Sequence, residues 1–199
     1  QFAFFIGRAL RGDLGESAIT RRPVAQMLRD GIAPSLCLTI PIFFGSLLIS
    51  LAIALLCAYA RDSWLDRSIV IASVALMSVN YIVWIVAGQY LLAFKAGWFP
   101  VWGFESWAYL LLPVLIGIVG GLGENVRFYR TLMLDEMYRD YVRTAYAKGV
   151  GAGGVLFRHV LRNAMIPVLT NVALAIPFLY TGSLLLEGFF GIPGLSGLA

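Results

Sequence analysis

Residues 140–167 read DYVRTAYAKGVGAGGVLFRHVLRNAMIP, and this stretch dictates how the rest of the chain is laid out. It is polar, basic and broken by glycine, and it lies between apolar runs long enough to cross a bilayer. Hydrocarbon offers no partner for its charges or for its interrupted backbone. The stretch therefore belongs at the water-facing end of two membrane helices. The functional question is what it touches there.

Met137, Tyr138, Tyr141, Val142 and Ala145 share one face of a helix, with Arg139, Asp140, Arg143 and Thr144 off that face. Gly149, Gly151, Gly153 and Gly154 then interrupt the helix. A second helical start follows at residues 155–161, with Arg158, His159 and Arg162 around it. A helix–break–helix bearing aromatics and arginines suits insertion into a partner's groove. The same composition suits an amphipathic hairpin on anionic lipid. The residues alone leave both open.

Outward from this stretch, the chain of 199 residues is 60% hydrophobic and 13% charged, a membrane-protein balance. It begins with Gln1 and carries no signal-peptide pattern, which suggests a fragment. Residues 1–33 hold five arginines and several glycines and read as an extramembrane segment with interfacial helix. The Arg21-Arg22 pair beside a span does not make a nucleic-acid arm, so no nucleic-acid partner is expected. Spans are expected at about 35–60, 68–94, 108–123 and 163–186, each near the roughly 20 residues a crossing needs. Cys37 and Cys57 fall in the first, about 30 Å apart if helical, and read as small core residues. Asn80 and Gln89 punctuate the second, either bonding neighbouring helices or lining a path. Trp98, Trp102 and Trp107 form an interfacial belt before the third. Gly117 and Gly121 make a small-xxx-small pair within it. The helix should continue past Glu124 towards Met137, with Glu124 able to pair with Arg127. Asn171, in the fourth span, could face a path. The tail from Glu187 carries ExxFxxPG and reads as a loop folding back at the surface, with Glu187 at an outer mouth or anchoring a turn.

Orientation follows from Lys and Arg. Loops 61–67 and 124–162 share one side and hold nine: Arg61, Arg67, Arg127, Arg130, Arg139, Arg143, Lys148, Arg158 and Arg162. The opposite segments hold six. Residues 124–162 are therefore assigned to the cytoplasm and residues 1–33 to the far side.

The central stretch resembles the cytoplasmic loop of binding-protein-dependent ABC transporter permeases. That loop carries Glu-Ala-Ala, three residues, Gly, then nine residues before Ile-x-Leu-Pro. Here Arg143, Thr144 and Ala145 take the first places, Gly149 is the glycine, and His159, Leu161 and Arg162 take the last. DYVRTAYAKG and RHVLRNAMIP look like the dipeptide, oligopeptide and nickel branch, as do GDLGES…RRPV at residues 12–24 and EGFFGIPGL at residues 187–195. Residues 151–154 depart, since the branch usually has polar and charged residues there. The resemblance implies an all-α, polytopic fold of the type I ABC importer class in a bacterial inner membrane. The four spans in residues 34–199 would be part of a six-span subunit, with one helix missing before Gln1 and one after Ala199. It also implies ATP-binding subunits, a second permease and a periplasmic or lipid-anchored binding protein as partners, beside membrane lipid. Tyr141, Arg143, Thr144, Ala145, Lys148, Gly149, Arg158 and Leu161 would couple to the ATPase. Asn80, Gln89, Asn171 and Glu187 are the path candidates. The implied substrates are peptides, or nickel and other small solutes.

No Gly-x-x-x-x-Gly-Lys-Ser/Thr loop occurs, so ATP hydrolysis is assigned to a partner, and no catalytic residue or cofactor is expected. A single histidine, His159, without HExxH or paired cysteines makes a metal site unexpected. The rival class, a secondary transporter or channel, would carry intramembrane charges for coupling ions, and the span interiors have none. An intramembrane enzyme lacks a catalytic set. The orientation is checked by single cysteines at Gly97 and Gly151 in a background free of Cys37 and Cys57. Gly97→Cys should react with an impermeant reagent in intact cells, and Gly151→Cys only after permeabilisation. Labelling of both in intact cells refutes it.

Overall fold

Long apolar runs in a solvent without hydrogen-bond partners must form helix, and helix is what they form. A computed structural model of the chain describes residues 15–17, 21–181 and 183–198. Helix α1 (Val24–Tyr59) has 36 residues and is about 54 Å long. It starts directly after Pro23, whose fixed φ suits a helix entrance. Residues 24–33, expected outside the membrane segment, are thus the first turns of α1. Before it, Glu16 and Pro23 form an isolated antiparallel bridge. Most of the expected 1–33 segment lies outside the described residues.

The second expected span is not one straight helix. Helix α2 (Trp64–Ser78) and α3 (Tyr81–Gly88), the latter prolonged by wider turns over Gln89–Lys95, meet at 89°. The cause is local. Val79 is extended, and the Asn80 side-chain oxygen accepts from the Ile82 amide at 2.9 Å, capping α3. Helix α4 (Ala108–Met137) runs unbroken for 30 residues, so the helix continues past Glu124 to Met137 as expected and carries the chain about 20 Å beyond the apolar run. After α5 (Asp140–Ala147), a turn at Ala152–Gly154 and wider turns at Val155–Val160 lead into α6 (Leu161–Thr181). The expected second helical start is thus the beginning of the last long helix. A short α7 (Leu184–Phe190) follows, and Gly191, at φ 67°, turns the chain into a 3-10 turn at Leu195–Leu198. Among the described residues, three helices are long and apolar enough to cross a membrane, or four if the bent pair is one span.

Three buried clusters are stacked along the helices. At one end Leu38, Leu112, Leu186 and Phe190 pack together. Midway lie Ala54, Tyr129 and Val168. At the other end are Ala58, Met133, Val142, Val155 and Ala164. Numbers on α1 and α4 rise together through these clusters, so the two helices are parallel. Helices in lipid gain little from apolar burial against each other and depend on close approach. A Cβ on Gly123 would lie 2.5 Å from the Ser73 carbonyl oxygen, so Gly123 lets α2 touch the backbone of α4. At Gly121 the same Cβ would meet only ordinary contacts, 3.4 Å from Asn125 and 3.5 Å from Ser46. The close approach therefore involves Gly123, with Gly117 against Ile42, and not the Gly117–Gly121 pair as a unit.

One ion pair fixes α2 to α4. Arg130 donates from Nε and Nη2 to both oxygens of Asp66, at 2.7 and 2.8 Å, and the Asp66 side chain is 4% exposed. Arg127 does not join Glu124 in an ion pair; its Nη1 lies 3.6 Å from Met77 Sδ.

Gly123→Val should force α2 from α4, at an overpacking cost of about 1–3 kcal/mol, and lower the detergent unfolding midpoint. Gly121→Ala should leave it within a degree or two. Equal effects would refute the assignment of the close approach.

Candidate functional site

The exposed end of the bundle is built by α5. Arg139 is extended, and Asp140 opens the helix with a carboxylate in its first turn, favourable to the helix dipole. Val142 and Ala145 are buried against Met133, Leu156, Val160 and Ala164, with Tyr141 and Leu161 packed at the cluster's edge. The apolar face read from the sequence is thus turned inward, onto α4 and α6. Arg143, Thr144, Tyr146 and Lys148 are exposed on the other side, and Arg158 is exposed on the following turns. The contact of Arg143 with Asp140, at 3.8 Å between two exposed side chains, contributes little.

The helix ends at Gly149. Its φ is +82°, a conformation that costs an L side chain roughly 1–2 kcal/mol. The Gly149 amide donates to the Tyr146 carbonyl at 2.9 Å, and the Val150 amide to the Ala145 carbonyl at 3.2 Å. These two bonds are the Schellman arrangement. Val150 then packs on the same cluster as Ala145.

One residue outside the expected set completes the joint. The Tyr141 hydroxyl donates a short hydrogen bond to Glu136 on α4. Burial, and then the Glu136 acceptor, hold the phenol above its ordinary range, so it keeps its proton and donates. Glu136 carries no spacing signal in the sequence. The exposed Tyr146 and Phe157 were legible only as aromatics at odds with a wet surface.

The path candidates separate. Asn80 caps α3. Gln89 donates from Nε2 to the carbonyls of Val101 and Phe189, at 2.9 and 3.1 Å, so it ties the tryptophan loop to α7. Asn171 faces a cavity of about 310 Å³ between α1, α4 and α6. Thr39, Ser46, Tyr81, Asn125, Tyr129 and Ser183 supply the rest of its polar lining. Asn125 Nδ2 donates to Ser46 Oγ at 3.0 Å across the two parallel helices. Asn125 and Asn171 also line an adjoining groove of about 900 Å³ with Glu124 and Thr170. Sequence reasoning missed Asn125, two residues after the apolar run. The first cavity is lined by amides, hydroxyls and apolar groups, so it can hydrogen-bond a neutral polar solute without binding it through charge.

Glu187 is fully buried. Its Oε2 accepts from the Ser196 amide at 2.9 Å, while Ser35 Oγ accepts from the Leu195 amide at 2.9 Å. Gly194 fits between them, for a Cβ there would meet both side chains. The tail therefore folds back onto the start of α1, and the Trp102 ring covers Gly191. This geometry makes Glu187 an anchor for a turn.

Residues 50–199 match the family model of the binding-protein-dependent transport system inner membrane component. The whole chain aligns at 36% identity with the glutathione transport system permease protein GsiC of Escherichia coli O6:H1. It aligns at 36% with that of Salmonella typhimurium strain LT2 and at 35% with that of Escherichia coli strain K12. In each case the chain covers 65% of the relative's length.

Removing the Glu187 carboxylate leaves the Ser196 amide without its acceptor, at roughly 1–3 kcal/mol. Glu187→Ala should lower the unfolding midpoint and expose the tail to protease, while Glu187→Gln, which keeps an acceptor oxygen, should recover most of the loss. Equal behaviour of the two variants would remove the anchoring role.

Proposed function

The chain belongs to the family of binding-protein-dependent transport system inner membrane components, and on that premise we propose that it forms part of the membrane path of an ATP-driven importer. One observation carries the reading. A short exposed helix, α5, stands at the water-facing end of two long membrane helices and is closed by a left-handed glycine. Such a helix is a ready insert for a partner's groove. Arg143, Thr144, Tyr146, Lys148 and Arg158 are the contact residues, while Val142, Ala145 and Leu161 hold the helix to its own bundle. The partner is an ATP-binding subunit, since the chain has no phosphate-binding loop of its own. A second permease subunit completes the path, and a periplasmic or lipid-anchored binding protein delivers solute to the tryptophan end. The membrane is the bacterial inner membrane, with α5 in the cytoplasm.

The substrate is a small peptide. Glutathione is the first candidate, because the relatives aligned over the whole chain are glutathione permeases. Nickel fits less well with a cavity lined by Asn125, Asn171 and hydroxyls. Transport proceeds by alternating access: closure of the ATPase subunits on ATP pushes α5, and the packed helices move as bodies.

Gly149→Val tests the reading. It strains the end of α5 outside the spans, so the permease should fold while co-purification of ATPase subunits falls about tenfold, the equivalent of roughly 1.4 kcal/mol. Gly97, at φ 67° with nothing near it, is the control. Gly97→Val imposes comparable strain at the opposite end and should spare ATPase binding. Retention of ATPase subunits and of substrate-stimulated hydrolysis by Gly149→Val would return α5 to the role of a hairpin on lipid.

A further inference from the structure

Helix α4 carries one carboxylate within its membrane crossing. A crossing takes about 20 residues, so counted from Ala108, where α4 begins, it reaches to about residue 127. Glu124 lies inside that length, close to its inner edge. The residue is exposed, and among the described residues it has no ion-pair partner. Arg127, one turn on, reaches instead towards Met77 on α2, and Arg130 is held by Asp66. A charge left exposed at this depth is too costly to face acyl chains, so it marks a surface turned to water or to a solute.

That surface is the groove of about 900 Å³ between α4 and α6. Asn125 shares the α4 wall with Glu124, and Thr170 and Asn171 stand on the α6 wall. Asn171 is the middle residue of α6, so the polar lining runs from the inner edge of the crossing to the middle of the bundle. There it meets the smaller, uncharged cavity, because Asn125 and Asn171 line both. Asn125 donates through Nδ2 to Ser46 at 3.0 Å, which leaves its Oδ1 as an acceptor. A primary ammonium brings three donors and one positive charge. The Glu124 carboxylate matches the charge, and the amide and hydroxyl oxygens beside it match the remaining donors.

Resting on the reading of this chain as part of a peptide path, we propose that Glu124 is a specificity-determining residue of that path, whose carboxylate receives the protonated amino group of the solute. A peptide with a free amino terminus is favoured over one whose amino terminus is acylated. The permease then adds a selection by charge to whatever selection its binding protein makes.

The experiment uses the full-length permease, assembled with its partner subunits, in inside-out membrane vesicles. Thr170→Cys, in a background without Cys37 and Cys57, places a thiol in the groove. It is labelled with two methanethiosulfonates of similar size, one bearing an ammonium and one a sulfonate, and each rate is divided by that of a small thiol in solution. The ammonium reagent should react faster. Glu124→Gln should lower the ratio of the two rates about tenfold, while Glu124→Asp, which keeps the charge, should hold it within about twofold. Trialanine should slow the ammonium reagent, N-acetyl-trialanine should not, and Glu124→Gln should abolish the difference. A ratio unchanged by Glu124→Gln overturns the proposal. So does equal protection by the two peptides in the parent. Failure of the underlying reading looks different: Thr170→Cys would then react with neither reagent while Gly151→Cys, at the water-facing end, reacts with both.

Discussion

The constraint beneath the whole structure is that hydrocarbon supplies no hydrogen bond to a backbone amide or carbonyl. Every feature answers to it. Where the chain is apolar it runs as long helix, and where helix stops within the bundle a substitute partner is present. The turn between α2 and α3 is closed by the Asn80 oxygen on Ile82. Thr39 on α1 donates to the Leu179 carbonyl near the end of α6. Gln89 satisfies one carbonyl in the tryptophan loop and one in α7. These three polar residues mark places where an irregular neighbour needs a partner.

The same constraint explains how much was legible in the sequence. Membrane spans follow from composition, because apolar length is a direct requirement of the solvent. The loop end and the fold-back of the tail were equally plain, since charge and glycine cannot lie in hydrocarbon. The break at Val79 was not. Asn80 can bond a neighbouring helix, line a path or cap its own helix, and these choices look alike in sequence. The run of α4 past Glu124 was legible, for a helix projecting into water remains a helix as long as its far end is packed. Met133 is fully buried there.

The site shows a subtler limit. Periodicity gives the apolar face of α5 correctly, yet it cannot tell an inward face from one offered to a partner. Tyr141, Val142 and Ala145 share a face, and the face is filled by α4 and α6. The outer surface is instead Arg143, Tyr146 and Lys148, residues that a helical pattern treats as the wet side. Gly149 was legible because a glycine at the end of an amphipathic turn has a single-residue reason to be there. Glu136 was invisible because its contact with Tyr141 joins two elements and no spacing encodes it.

The parallel course of α1 and α4 brings an electrostatic demand of its own. Antiparallel neighbours cancel their peptide dipoles, whereas parallel ones add them, so two C-termini with about half a negative charge each gather at the same end. Arg61 lies just beyond the end of α1 and answers that field, whereas Arg130, two turns inside α4, is held by Asp66. Arg61 also covers the Tyr138 ring at 5.2 Å, where α4 stops. The basic residues at this end therefore do two jobs at once. They bias the direction in which the chain enters the bilayer, and they neutralise a polarity that the finished bundle creates. A reversed insertion would keep the second benefit and forfeit the first, so orientation depends on the membrane while helix-end compensation travels with the protein.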